Sequence, residues 1–106
     1  EIMQTHPKKR VEIIVEVPAV KRILRFLDEN DVSGYTVLPA LAGRGDSGKA
    51  WTREGLVTEA GRMVTILMII DEARLAPVFD ALYEMVSRQI GVIATSDCWV
   101  VRSEKF

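Results

Sequence analysis

The stretch richest in possible chemistry is GRGDSGKA, residues 43–50. Gly43 to Lys49 fit the G-x-x-x-x-G-K spacing of a phosphate loop, in which bare backbone N–H groups cradle a phosphate and the lysine reaches it. Position 50 is alanine, where such a loop needs Ser or Thr to hold magnesium. The stretch that follows, Trp51 to Gly61, contains Gly55 and has no helical stripe whose N-terminus would meet a phosphate. A nucleoside triphosphatase is therefore not expected. The glycines still suit an anion-holding concavity reinforced by Arg44, Ser47 and Lys49, and the same residues also fit a plain solvated loop. Arg44, Gly45 and Asp46 spell an adhesion tripeptide, which reads as coincidence without a secretory signal.

The remaining chemistry-bearing residues point away from catalysis. Ser47, Ser87, Ser96 and Ser103 have no His partner, because the single histidine, His6, stands in a polar N-terminal stretch. Asp28 with Glu29, and Asp71 with Glu72, are adjacent carboxylates better explained as a helix end and a helix start than as an acid–base pair. Cys98, the sole cysteine, excludes an internal disulfide and reads as a small buried hydrophobe beside Trp99. With no Cys or His cluster a structural zinc site is not expected either. A net charge of −1 argues against generic nucleic-acid binding, and 48% hydrophobic with 27% charged residues is ordinary for a globular domain. The longest apolar run, MVTILMII, is too short to span a bilayer, so a cytoplasmic protein without membrane insertion is expected.

The elements that must position these residues follow from periodicity. The chain, residues 1–106, is long enough for a single domain with one core. Residues 1–7 have no period and are expected to fray. From Arg10 to Val17, Val11, Ile13, Val15 and Val17 alternate with polar residues as in a half-buried strand. Pro18 then opens a helix carrying Val20, Ile23, Leu24 and Leu27 to about Asn30, and Asn30, Asp31, Ser33 and Gly34 break it. Tyr35 to Leu38 form a second strand, which Pro39 makes bent or an edge. Residues 43–61 read as one long loop, larger than a connection needs and hence a place for binding or regulation. Arg62 to Ile70 is apolar on both faces, the pattern of a central strand covered on both sides. Asp71 is a possible cap, but Pro77 suits a first turn, so a regular second helix is expected from Leu75 or Ala76 to about Gln89. Gly91 ends it, and Val92 to Val101 is extended but interrupted at Thr95, Ser96 and Asp97. The order βαβ, loop, βαβ predicts an α+β, ferredoxin-like fold: an antiparallel sheet with two helices on one face. The other face then needs a partner copy.

The order of elements, the GYTV opening of the second strand, the glycine-rich exit AGRG, the long loop and the Ile90-Gly91 step resemble the PII and PII-like signalling proteins over about residues 8–102. That resemblance implies a non-enzymatic homotrimer whose sheets face the three-fold axis. It implies adenine nucleotide bound in clefts between subunits, and a loop after the second strand that changes shape with ligand to engage a partner. Carried over by position, Val15 and Met68 line the adenine pocket, Thr36 touches the base from the neighbouring chain, and Gly43, Arg44 and Gly45 approach the phosphates. Gly91 opens the second binding loop, but Ala94 stands where the family has a phosphate-binding lysine. Arg88 and Arg102 are the candidate replacements, since the family's paired C-terminal arginines have no counterpart up to Phe106. So few cations imply ADP or AMP in preference to ATP. Residues 43–61 are shorter than the loop of nitrogen-regulating members and contain no tyrosine, so nucleotidylation there has no target. A branch associated with carboxysomes and inorganic-carbon uptake suggests bicarbonate as the small anion, and a bicarbonate transporter or carboxysome component as the target. The alternative on the same architecture is a CutA-like trimer with a metal-tolerance or structural role.

Overall fold

The computed structural model describes residues 4–32, 34–44, 50–52, 62–88 and 91–102. Its elements are β1 (His6–Glu16), α1 (Val17–Glu29), β2 (Tyr35–Pro39), β3 (Ala42–Arg44), β4 (Ala50–Thr52), β5 (Met63–Ile70), α2 (Glu72–Ser87) and β6 (Gly91–Val100). The main sheet has the order β2-β5-β1-β6 with every neighbour antiparallel. This is the expected ferredoxin-like double βαβ. β5 is central, as its two-sided apolar pattern requires, and β2 with its proline is an edge.

One sheet face is covered by both helices. Val11, Ile13 and Val15 of β1 and Ile66, Met68 and Ile70 of β5 pack there against Ala19, Ile23 and Leu27 of α1 and Leu75, Val78, Leu82 and Val86 of α2. Each such Val, Leu, Ile or Met side chain removed from water contributes about 1.5–3 kcal/mol before entropy opposes it. The opposite face, on the register of Arg10, Glu12 and Ile14 with Thr65, Leu67 and Ile69, carries no helix among the described residues; its apolar residues are only half-buried, and Leu38 and Val92 are exposed. Arg10 and Glu12 form an ion pair on it.

The helix ends explain where the chain turns. At the C-terminus of α1, Val32 N–H donates to the Leu27 carbonyl at 2.8 Å and Asp31 N–H to that of Asp28 at 3.3 Å, with Asp31 left-handed at φ 61°. This is a Schellman turn, with Val32 and Leu27 both buried in the same apolar cluster. Arg74 from α2 donates to the Asp31 carbonyl. α2 begins at Glu72, earlier than expected, with Pro77 inside it. Arg74 and Leu75 N–H both donate to the Asp71 carbonyl at 3.0 Å, so the first turn is already closed before the proline. The proline lies on the exposed side, where the carbonyl it leaves unpaired can take water. The Asp71 side chain makes no cap bond; it pairs with Lys8, whose side chain is 8% exposed.

Three further expectations are corrected. His6 and Pro7 do not belong to a frayed tail: β1 starts at His6, opposite Val100. β6 is continuous through Thr95, Ser96 and Asp97, because an edge strand tolerates polar residues and Lys9 bonds Asp97 at 2.5 Å across the ladder. The segment 43–61 is not wholly loop, since β3 and β4 pair antiparallel as a short ribbon.

Candidate nucleotide and anion site

The register gathers one set of site residues at a single end of the sheet. Val15 lies opposite both Val64 and Gly91, and Pro39 opposite Val64, so the ends of β1 and β2 meet the starts of β5 and β6. α1 starts and α2 stops at the same end. Two backbone bonds brace it: Val17 N–H donates to the Arg62 carbonyl at 2.9 Å, and Ala40 N–H to that of Met63 at 3.1 Å. From there the ribbon departs, with Gly43 opposite Trp51 and an exposed Arg44 opposite Ala50. Residues 50–52 are a strand, so among the described residues the G-x-x-x-x-G-K match does not lead into a helix. Gly45, Ser47 and Lys49 lie outside the described residues.

Gly91 is shaped by backbone crowding. A Cβ there would stand 2.5 Å from the Ile14 carbonyl oxygen and 2.9 Å from Val15 Cγ1, so only glycine fits. The same contact places Val15 beneath the start of β6. Val15 and Met68 are 0% and 1% exposed, with side chains in the core under the helices. In β1 and β5 the alternating period turns both toward α1 and α2; Val15 lies at the Gly91 end, whereas Met68, opposite Val11 and Tyr35, lies away from it. Arg88 caps α2 at this end and donates to Glu84 at 2.5 Å in an exposed i,i+4 pair.

Thr36 and Arg102 are elsewhere. Thr36 is exposed on edge strand β2, opposite Leu67. Arg102 follows the far end of β6, about 30 Å from Gly91 at a strand's rise per residue. A single protomer does not bring Gly91 and Arg102 together.

Sequence reasoning missed Arg62. It stands at the mouth of the 40–62 excursion, and its Nε is buried with no hydrogen-bond partner among the described residues. The signal was present, a lone cation before an apolar run, but it was absorbed into the strand pattern.

An antiparallel β2-β5-β1-β6 sheet with two helices on one face, a bare second face and a glycine-bounded excursion at one end defines a PII-type regulatory architecture. Residues 8–105 match the nitrogen regulatory protein P-II family, and the chain belongs to it. PII-like proteins form trimers and bind adenine nucleotides. Among solved structures, the chain is similar to CPII, a nitrogen regulatory PII-like protein from Thiomonas intermedia K12 bound to ADP, AMP and bicarbonate. The two share 25% identity at a TM-score of 0.82, over 95% of this chain and 94% of that one. The same protein bound to ADP and bicarbonate gives 26% identity, TM-score 0.78 and 95% coverage of both chains. A PII-like signalling protein from Thermus thermophilus gives 28% identity and TM-score 0.76, over 98% of this chain and 99% of that one. A search of the curated proteins finds no match.

Proposed function

We propose that this chain is a PII-like signal-transduction protein that binds ADP or AMP between the subunits of a homotrimer, together with a small anion such as bicarbonate. It reports them to a partner protein through a change of shape in residues 43–61. The observation that carries the reading is the full-length likeness to CPII, whose structure holds ADP, AMP and bicarbonate. The geometry supports it in two ways. Gly91, Arg88, Arg62 and the base of the ribbon share one end of the sheet. Thr36 and Arg102 lie away from that end, and in this reading they act from a neighbouring protomer. The helix-free face supplies a surface for assembly.

In this reading Gly43, Arg44 and Gly45 approach the phosphates, Gly91 opens the loop that contacts them, and Arg62 joins Arg88 and Arg102 as a cation. Arg44, Ser47 and Lys49 hold the anion, and Val15 forms the floor beneath the base. No residue is assigned a catalytic role, so the nucleotide is a signal and not a substrate. The protein acts in the cytoplasm, and its target is a bicarbonate transporter or a carboxysome component.

Calorimetry with ADP, AMP and ATP, each with and without bicarbonate, tests the reading. ADP or AMP should bind, and bicarbonate should tighten that binding, because each ligand spares the other part of the cost of ordering the excursion. Arg44→Ala should weaken ADP about ten-fold or more if a charge-assisted phosphate bond is lost. Absence of nucleotide binding by a trimeric sample, or steady phosphate release from ATP, refutes it.

A further inference from the structure

Between α1 and edge strand β2 lies an open groove of about 510 Å³, lined by Lys21, Leu24, Arg25, Asp28, Glu29 and Tyr35. Its volume lies in the small-molecule range, but it is shallow and mostly open to solvent, so a ligand there would be held by its charges more than by enclosure. It sits beside the C-terminal half of α1, away from the sheet end that carries Gly91 and the ribbon, and the nucleotide reading uses none of its residues.

The four charges are sorted along the helix, with Lys21 and Arg25 preceding Asp28 and Glu29. Arg25 has carboxylates at i+3 and i+4, spacings at which helical charges ordinarily pair. Among the described ion pairs, however, none involves Lys21, Arg25 or Glu29. Asp28 is held by one bond, accepting from the Tyr35 hydroxyl at 3.1 Å. The order also opposes the helix macrodipole, since the last turn of α1 carries acids and no base. Helix stability therefore does not account for the arrangement.

We propose that this groove binds a small zwitterion of the free amino-acid class, its carboxylate held by Lys21 and Arg25 and its ammonium by Asp28 and Glu29. The guanidinium fork suits a carboxylate in two parallel bonds, and the lysine adds a second cation. Leu24 and the Tyr35 ring supply apolar wall on either side of the charges. The Asp28 carboxylate raises the pKa of Tyr35, so the hydroxyl stays a donor and orients Asp28 with its second oxygen free for an ammonium. Binding breaks no existing ion pair of these cations.

The test is an NMR titration of the Leu24 methyls and the Tyr35 ring with free alanine, glutamate and lysine, and with the N-acetylated and the C-amidated form of each. Free amino acids should move both sets of signals with a dissociation constant on the order of 1 mM, as befits an open groove with a few charge-assisted contacts. Each cap removes one charge and should weaken binding about ten-fold or more. Arg25→Gln and Asp28→Asn should weaken it similarly, and Arg88→Gln should not. Should a variant fail to fold, the capped ligands still decide the matter on the native protein. Equal shifts from capped and free forms, or no shift with any free amino acid up to about 10 mM, overturns the proposal.

Discussion

Gly91→Ala is the substitution whose outcome the structure constrains most tightly. The added Cβ would meet the Ile14 carbonyl oxygen at 2.5 Å, whereas real Cβ contacts stay above 3.0 Å, so β6 must retreat by at least 3.0 − 2.5 = 0.5 Å. The oxygen cannot yield instead, because it belongs to β1, which is tied to β5 on its other side. Retreat strains the pairings of Gly91 with Val15 and of Val92 with Ile14. Overpacking of this kind costs about 1–3 kcal/mol, and the stiffer unfolded chain of alanine offsets about 0.4–1 kcal/mol of it. A net loss of roughly 1–2 kcal/mol follows, or a fall in Tm of about 4–16 °C for a domain of this size. Urea denaturation at fixed protomer concentration measures it, since assembly makes apparent stability concentration-dependent. A variant within about 0.5 kcal/mol of the parent, with unmoved amide signals at Val15 and Val92, would refute the argument from crowding. On the proposed reading ADP affinity should fall as well, because the strand that would open the second binding loop has moved.

Other expectations are as direct. Asp31→Gly should stabilise the chain by up to about 1 kcal/mol in the same denaturation assay, since glycine relieves the left-handed position while the Arg74 bond uses only the backbone carbonyl. Asp71→Ala should cost more than Lys8→Met, because the first leaves a lysine with an 8% exposed side chain short of its carboxylate and the second removes the buried charge itself. Alkaline pH should destabilise the fold. Lys9, hydrogen-bonded to Asp97, and Tyr35, hydrogen-bonded to Asp28, both have folded pKa values raised above their ordinary ones. Their contributions are whole below the ordinary values and are lost as pH rises through the folded ones. Asp97→Asn should flatten the lysine part of that profile; an unchanged profile would dismiss the pair. Light scattering should give a trimer, and a monomer at micromolar concentration would leave Thr36 and Arg102 without a partner site.

The fold was legible because its strands differ in how they are buried. β1 alternates, β5 is apolar on both faces but for Thr65, and β2 ends in proline, and these patterns correspond to a strand with one face under helices, a central strand and an edge. Less legible was whatever depends on a partner strand. His6 and Pro7 look unstructured until Val100 and Trp99 lie opposite them, and Thr95 to Asp97 look like a break until Val11 to Lys9 pair with them. Pro77 misplaced the start of α2, because its local penalty is outweighed by a first turn closed on Asp71. At the candidate site, the structure places Gly91 and Arg44, both named through the resemblance, at one end of the sheet. The resemblance assigned Val15 and Met68 to a ligand, whereas strand alternation buries them, and it passed over Arg62. Of the charges lining the α1 groove, Asp28 and Glu29 read in sequence only as a helix end, because spacing alone does not reveal that Arg25 pairs with neither among the described residues.

The antiparallel pairing of β1 with β6 brings His6 opposite Val100. Handles attached at those two positions would load the β1–β6 ladder from one end, so its bonds would open one after another instead of sharing the force. β6 would peel away first, with the Lys9–Asp97 contact among the earliest to part, while β1 stayed joined to β5. Mechanically the domain is a zipper with its slider at the His6–Val100 end. The last rung to open, Val15 with Gly91, lies at the proposed nucleotide end, so bound ligand should lengthen the final stage of extension and leave the first unchanged.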